Sequence, residues 1–329
     1  MTETHAVAQA AVHRPALRRR QPLKTTWFSR LEGAVEDAVR SLPDLGGCPR
    51  ELYLSALAVN HAADGGRTAL VERAGHPVAV IALRRTGALR WRNFTNSVIP
   101  GFVTAAADED LLPAFRALRV EVDVSWWHRS DIPASPQREH HVVPQYRLAV
   151  AEREAYWKAH HKWSNLRAAR NRCADLELVI DAPGDSDWVV RSSARKWADR
   201  WDASQEASLQ LSLEVARHFE AAGEHTVLTL RRDGVAVTGI TALRGSDGVW
   251  VASRTYRDAA LGKLPTGDRI IDALFDHAEA QGALAVDLGG SYGYKAHWAP
   301  EFGARHDFLI GPAWSYGARR IARRLARRG

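Results

Sequence analysis

The stretch from residue 225 to residue 290 constrains the fold most, because its apolar pattern changes character along the way. Thr226-Val-Leu-Thr-Leu-Arg-Arg and Val235-Ala-Val-Thr-Gly-Ile-Thr-Ala-Leu are runs of strand length separated by Asp233-Gly234. An Asp-Gly pair between apolar runs supplies the positive φ angles of a tight hairpin. Val249-Trp-Val-Ala-Ser-Arg-Thr adds a strand. The period then becomes helical from Thr266-Gly-Asp to Gln281. Ile270, Ile271, Leu274 and Phe275 form its buried stripe and Gly282 its stop. Ala283-Leu-Ala-Val-Asp-Leu is a buried strand, ended by Gly289-Gly290. A meandering sheet thus delivers a strand, a Gly-containing loop, an amphipathic helix and a further strand, which is an α/β pattern.

The chain has 329 residues, 46% of them apolar, enough for two domains or one large one with a real core. No apolar run approaches the roughly 20 residues that span a bilayer. After Arg18-Arg19-Arg20 the N-terminus continues Gln-Pro-Leu-Lys-Thr-Thr, not as the apolar segment of a signal peptide. Cys48 and Cys173 are too few for a disulfide framework or a structural zinc site. A cytoplasmic protein is the expectation. The net charge of +7 belongs to the ends: residues 1–24 carry +4 and residues 313–329 carry +6, which leaves the body at −3. A basic chain of this kind is a weaker candidate for nucleic-acid binding than its charge suggests.

Residues 1–24 read as a disordered basic tail. Phe28, Leu31, Val35 and Val39 predict a helix over Trp27 to Ser41, and a second helix runs from about Pro49 to Ala63. Two strands joined by Ala-Gly-His-Pro follow, at Ala69 to Arg73 and Val78 to Arg84; Ala88 to Phe94 continues the sheet. A short helix at Leu111 to Leu118, a strand at Val120 to Trp126, and a Pro-, His- and charge-rich connection over Pro133 to Pro144 come next, the last being the best boundary candidate. A strand follows at Tyr146 to Val150. The second half opens with a basic helix over about Glu152 to Cys173. A strand at Leu176 to Asp181 and helices over Asp187 to Trp201 and Ser208 to Ala222 follow. Each half has helices, a hairpin with a tight turn, and more sheet, which suggests an internal duplication without recognisable identity.

After the last strand comes Asp287-Leu-Gly-Gly-Ser-Tyr-Gly-Tyr294-Lys295-Ala-His-Trp298, then Phe302-Gly303. Together with the basic helix Tyr156-Trp-Lys-Ala-His-His-Lys-Trp-Ser-Asn-Leu-Arg167-Ala-Ala-Arg170-Asn-Arg172 and the hairpin at Arg231 to Val237, this resembles the GNAT acyltransferase superfamily. More closely it resembles the CelD-type double-GNAT acyltransferases of polysaccharide biosynthesis, relatives of the Fem aminoacyltransferases. The resemblance covers about residues 28–311 and is clearest over 150–305. It implies two tandem GNAT-like halves, each a mixed twisted sheet flanked by helices, over 25–146 and 147–312, with the active site mainly in the second and an Arg-rich tail over 313–329.

The activity implied is transfer of an acyl group from an activated donor to an amine of a sugar or other small molecule, with acyl-CoA as co-substrate and no permanently bound cofactor. Such a reaction needs a base, oxyanion donors and an acid for the leaving group. The resemblance points to Tyr294 as leaving-group acid. Asp287 is then a base or acceptor-orienting group, Lys295 a phosphate or oxyanion ligand, and His297 an alternative base. The helix start at Gly262, Lys263, Thr266, Gly267 and Asp268 is a candidate pyrophosphate site. Its text departs from the GNAT phosphate loop, so the donor stays open between acyl-CoA, carrier protein and aminoacyl-tRNA. A Fem-like tRNA-dependent transferase and a non-catalytic double-GNAT scaffold are the alternatives.

Gly289-Gly-Ser291-Tyr-Gly293 matches the Gly-x-Ser-x-Gly elbow of hydrolases, but only 38 residues follow Ser291, too few to bring an acid and a histidine into place. His140-His141 and His160-His161 are adjacent pairs that point apart, so no metal site is expected. Cys173 has no identifiable partner as a nucleophile. The C-terminal Ala318-Arg-Arg-Ile-Ala-Arg-Arg-Leu-Ala-Arg-Arg forms, as a helix, a short cationic amphipathic surface suited to shallow contact with an anionic inner membrane.

Overall fold

A computed structural model describes residues 21–42, 48–88, 90–94, 102–104, 108–127, 140–196, 203–245, 247–290 and 293–311. The first half contains β1 (Leu23–Phe28), α1 (Gly33–Ser41), α2 (Arg50–Ala62), β2 (Gly66–Arg73), β3 (His76–Arg85), β4 (Arg90–Asn93), β5 (Phe102–Thr104), α3 (Asp108–Ala117) and β6 (Glu121–Trp127). After β7 (His140–Ala149) come α4 (Arg153–Ala159), α5 (Lys162–Arg172), β8 (Glu177–Ile180), α6 (Asp185–Arg195) and α7 (Ala203–Ala221). The chain then forms β9 (His225–Arg232), β10 (Val235–Arg244), β11 (Val249–Arg257), α8 (Thr266–Ala280), β12 (Ala285–Gly290) and β13 (Glu301–Ile310). Among the described residues, no helix is long and apolar enough to cross a membrane.

The duplication is plain in the topology. Strand, two helices, hairpin, strand, helix, strand occurs as β1-α1-α2-β2-β3-β4-α3-β6 and again as β8-α6-α7-β9-β10-β11-α8-β12. Both hairpins turn on consecutive positive φ angles, at Ala74 (55°) and Gly75 (79°) and at Asp233 (52°) and Gly234 (77°). β4 with β6 and β11 with β12 are parallel pairs, with Trp91 opposite Val122 and Arg92 opposite Asp123, and Trp250 opposite Val286 and Val251 opposite Asp287. Trp91 and Trp250, and Asp123 and Asp287, therefore occupy equivalent places. The fold is α/β, two tandem halves, each a mixed sheet flanked by helices.

The last strand of each half crosses into the other. β7 follows β6 in the chain but pairs with β12, whereas β13 follows β12 but pairs with β6. β7 and β13 also pair with each other, so one continuous sheet runs β1-β2-β3-β4-β6-β13-β7-β12-β11-β10-β9-β8. The connection expected over 133–144 therefore ends in strand, because His140 to Pro144 extend β7, and the junction expected at 146/147 lies inside that strand.

Other expectations change as well. The helix expected over 27–41 is β1 followed by α1; Trp27 and Phe28 pair with Ala69 and Thr68, and the sheet edge takes them from the helical period. Leu23 and Lys24, expected in the tail, open that strand. The basic helix expected over 152–173 is broken into α4 and α5 by left-handed His161. The strand β13 was not anticipated, because Arg305, His306 and Asp307 interrupt its apolar pattern; Arg305 is buried and ion-paired with Asp307 at 3.2 Å.

α8 holds the second core together. Ile270, Leu274 and Phe275 are buried against Leu228, Leu230, Ile240 and Val286 of the sheet and against Trp157 and Leu166 of α4 and α5. Ile271, expected in the same stripe, is only partly buried. α7 packs the other way: Ala207, Leu211 and Val215 join Val39, Leu52 and Leu57 in the core of the first half. The two halves are thus joined by backbone pairing and by shared apolar burial.

Candidate active site

The parallel strands β11 and β12 pair only over Val249–Val251 and Ala285–Asp287. β11 continues to Arg257, so the strands part. A cavity of about 370 Å³ lies at the opening. β11 supplies Ala252, Ser253, Arg254 and Thr255 to its wall, β12 supplies Leu288, α8 supplies Ile271, α6 supplies Ser193, and Lys196 adds its side chain just past the end of α6. The register between β10 and β11 slips here: Thr241 faces Arg254 and Ala242 faces Ala252. Ser253 is the extra residue of a bulge and has no partner in the register of either neighbouring strand. Ala252 packs into the α8-side core. Strict alternation would turn residue 254 to that same side; the bulge instead lets Arg254 reach α7 on the opposite face.

Tyr294 and Lys295 reach the cavity wall from a single 3₁₀ turn, Gly293–His297. The aromatic start of the basic helix holds that turn. Tyr156 Oη donates to the Ala296 carbonyl at 2.7 Å, and Trp157 Nε1 donates to the Trp298 carbonyl at 2.9 Å. Trp157 and Trp298 are both buried and meet edge to face at 5.4 Å. Tyr294 is 55% exposed. Lys295 Nζ donates to the carbonyls of Leu288 (2.5 Å) and Gly290 (3.0 Å). Burial pushes its pKa down, the nearby Asp287 charge opposes that shift, and Arg305 adds to it.

The other two residues expected to be catalytic lie elsewhere. Asp287 is buried behind the wall, where its carboxylate accepts from Arg147 at 3.2 Å and from the Gly289 N–H at 2.7 Å. Those bonds close the bulge between Asp287 and Gly289 against β7. Arg147 in turn stacks on Phe302 at 4.1 Å. His297 is exposed and does not line the cavity. The structure therefore brings Tyr294 and Lys295 together, sets Asp287 beside Lys295 in a structural pair, and leaves His297 outside.

The residues expected to bind the donor phosphates divide in the same way. α8 begins without a side-chain cap at Pro265; the Thr266 N–H donates to the Leu264 carbonyl at 2.9 Å, which leaves those of Gly267 and Asp268 to face an anion. A Cβ on Gly267 would meet nothing within 4 Å, and Gly262 has φ +55° with equally open surroundings. Lys263 is exposed beside them. The loop is shaped by arginines: Arg172 donates to the Lys263 carbonyl at 2.9 Å, and Arg257 donates to those of Gly262 and Leu264. Thr266 is fully buried and its hydroxyl bonds that of Thr238 at 2.9 Å, while Asp268 pairs with Lys162 at 2.9 Å. Gly262, Lys263 and Gly267 can thus face a phosphate, and Thr266 and Asp268 serve the loop itself.

Sequence reasoning missed Ser253, Arg254, Ser193 and Lys196. Its one available signal was an arginine inside an otherwise apolar strand. Arg153 pairs with Asp276 (2.7 Å) and Glu279 (2.9 Å), and Arg170 grips the buried Asp272 through both oxygens. These arginines brace α4 and α5 on α8. Among the described residues no group of three or more histidine, cysteine, aspartate or glutamate side chains could hold a metal. His160 stacks on Tyr156 at 3.9 Å. Cys173 is buried and its thiol is pushed up by that burial, the reverse of what a nucleophile needs. Ser291 and the arginine-rich tail lie outside the described residues, as do the side chains of His140 and His141.

Residues 160–296 match the family model described as an acetyltransferase (GNAT) domain. The match places a GNAT-like domain within the second half of the chain. The match runs from α5 to the turn that carries Tyr294 and Lys295 and takes in the cavity's lining apart from Trp298. Among solved structures, the whole chain is similar to the C-terminal domain of a putative lysylphosphatidylglycerol synthetase from Agrobacterium fabrum. The identity there is 14% and the TM-score 0.51, covering 88% of this chain and 96% of that one. A conserved protein of unknown function from Bacteroides thetaiotaomicron aligns at 11% identity and TM-score 0.51, covering 87% and 99%. A tandem GNAT protein from the clavulanic acid biosynthesis pathway aligns at 12% identity and TM-score 0.48, covering 88% and 99%. At these identities the likeness is one of fold. No curated protein matches the chain.

Proposed function

We propose that the second half transfers an acyl group from an acyl-CoA to the amine of a small-molecule acceptor, a sugar or another amine. The observation that carries this reading is the parting of β11 and β12 over a cavity with Tyr294 and Lys295 on its wall. Strands that part leave backbone N–H and C=O groups unpaired, and these suit the amide-bearing arm of coenzyme A. The uncapped start of α8, with Gly262, Lys263 and Gly267, takes the pyrophosphate. The thioester then lies at Ser253, where the bulge disrupts the ladder and frees donors for the developing oxyanion.

The amine nitrogen bonds to the carbonyl carbon, and the carbon–sulfur bond breaks. Tyr294 gives its proton to the leaving thiolate and recovers one from solvent, which its exposure permits. The Lys295 charge offsets the oxyanion. Among the described residues the wall holds no carboxylate and no histidine, so the acceptor reacts as the free amine after losing its ammonium proton to water, and the second proton leaves the nitrogen for solvent as the amide forms. The tRNA-dependent alternative drew on the basic tails and the basic helix; Arg153 and Arg170 of that helix are engaged with α8, and no feature of the site favours it.

Thermal melting with acetyl-CoA, CoA and total aminoacylated tRNA tests the donor. CoA species are expected to raise Tm by mass action, and a bulky side chain at Gly267 to abolish the shift. A salt-sensitive response to tRNA alone would replace this reading with the Fem-like one. No response to either would favour the scaffold.

A further inference from the structure

Resting on that acyl-transfer reading, we infer that the acceptor carries a carboxylate beside its amine and that Arg254 binds it. Three cations, Lys196, Arg254 and Lys295, line the cavity, with no carboxylate on the wall among the described residues. Two of them are accounted for without a ligand. Lys196 is exposed to solvent, and Lys295 closes its turn through two carbonyls. Arg254 is different. Its Nη2 donates to Ser212 Oγ at 2.6 Å, and among the described residues no carboxylate pairs with it. Arg153, Arg170 and Arg231, also on or near this core, each hold a carboxylate at 2.7 Å. A guanidinium has five N–H groups in a planar fork that matches a carboxylate, and a charge in a partly closed cavity without a counter-ion is costly. Burial accordingly pushes the pKa of Arg254 below its ordinary value.

The side of the sheet identifies the ligand as acceptor rather than donor. Ser212 gives its own proton to the Ser208 carbonyl at 2.8 Å, so it can only accept from Arg254, which fixes the guanidinium toward α7. The proposed phosphate site is at the start of α8, whose core-facing stripe packs on the opposite face. A donor threaded from α8 brings its thioester to Ser253. The acceptor then enters from the α6 and α7 side, past Lys196 and Ser193, where Arg254 waits one residue from the bulge. Ser212 is a positioning residue here, and the bulge at Ser253 is what turns Arg254 to this face.

Matched acceptor pairs differing only in the carboxylate test this in the full chain: phenylalanine and phenethylamine, lysine and cadaverine. Each is run with acetyl-CoA, and binding of each is also followed by calorimetry. The carboxylate member is expected to show KM or Kd about 10- to 100-fold lower. Arg254→Met should erase that preference, and Arg254→Lys should restore part of it, with acetyl-CoA binding unchanged in both folded variants. Equal use or equal binding of the two members overturns the inference, as does a preference that survives Arg254→Met. A preference that moves to the donor, with succinyl-CoA favoured over acetyl-CoA in an Arg254-dependent way, also overturns it. Failure of CoA to bind at all would refute the acyl-CoA reading instead, and carboxylate-dependent binding at Arg254 would still be scored by calorimetry.

Discussion

Tyr294 and Lys295 are neighbours in the chain and on the cavity wall, yet their surroundings give them different work. Tyr294 is half exposed, as the role of leaving-group acid proposed for it requires. Tyr294→Phe is expected to lower kcat about 10²-fold while leaving CoA affinity unchanged, as stopped-assay kinetics beside calorimetry would show; an unaltered kcat would remove it as the acid. His225 shows the same dependence on place. It is buried in β9, and desolvation holds its imidazole down to about 4. The unfolded chain takes up this proton near pH 6.5 and the folded one resists it. The stabilising contribution is therefore complete above pH 6.5 and is lost as the pH falls toward 4. His61 and His277 are shifted in the same direction. Unfolding free energies from urea titrations between pH 7 and pH 4 should fall by up to about 3 kcal/mol from His225 alone, and His225→Gln should flatten that slope.

At the scale of elements, what positions the site is the fit of β12 to β7 and of α5 to α8. Gly290 is required because a Cβ there would lie 2.2 Å from Gln145 Nε2 and 2.6 Å from the Pro144 carbonyl. Gly290→Ala must push β7 away and move a carbonyl that Lys295 holds. It should cost about 1–3 kcal/mol by denaturant titration and reduce turnover as well. Arg170→Met leaves the buried Asp272 with only the more distant Arg269 at 3.5 Å. A loss of about 2–4 kcal/mol is expected, and an effect under about 0.5 kcal/mol would show the pair to be ornamental. The hairpins, α8 and β12 were legible beforehand because each carries its own period and turn residues. β13 and the first strand were not, since a strand held by partners distant in sequence needs no regular pattern of its own.

For the whole molecule, the exchange of β7 and β13 makes the halves interdependent. Calorimetry should show one unfolding transition. A chain ending at residue 300, without β13, should lose near-UV circular dichroism from both halves; two separate transitions, or an intact first half after that truncation, would contradict the shared sheet.

By itself the sequence determined what depends on neighbours along the chain: the hairpin at Asp233-Gly234, the amphipathic α8 with its glycine-rich approach, the strand ending in Gly289-Gly290, and the Tyr294-Lys295 turn. From these, and from the resemblance they carry, the α/β double-GNAT architecture could be expected. Tertiary structure alone decided which charges are free to act. Asp287 was a reasonable base until Arg147, 140 residues away, was found on it, and Arg254 was unremarkable until a one-residue bulge turned it toward α7. A charged side chain is catalytic, binding or structural according to the counter-charge it meets, and that partner is fixed by long-range packing rather than by local sequence.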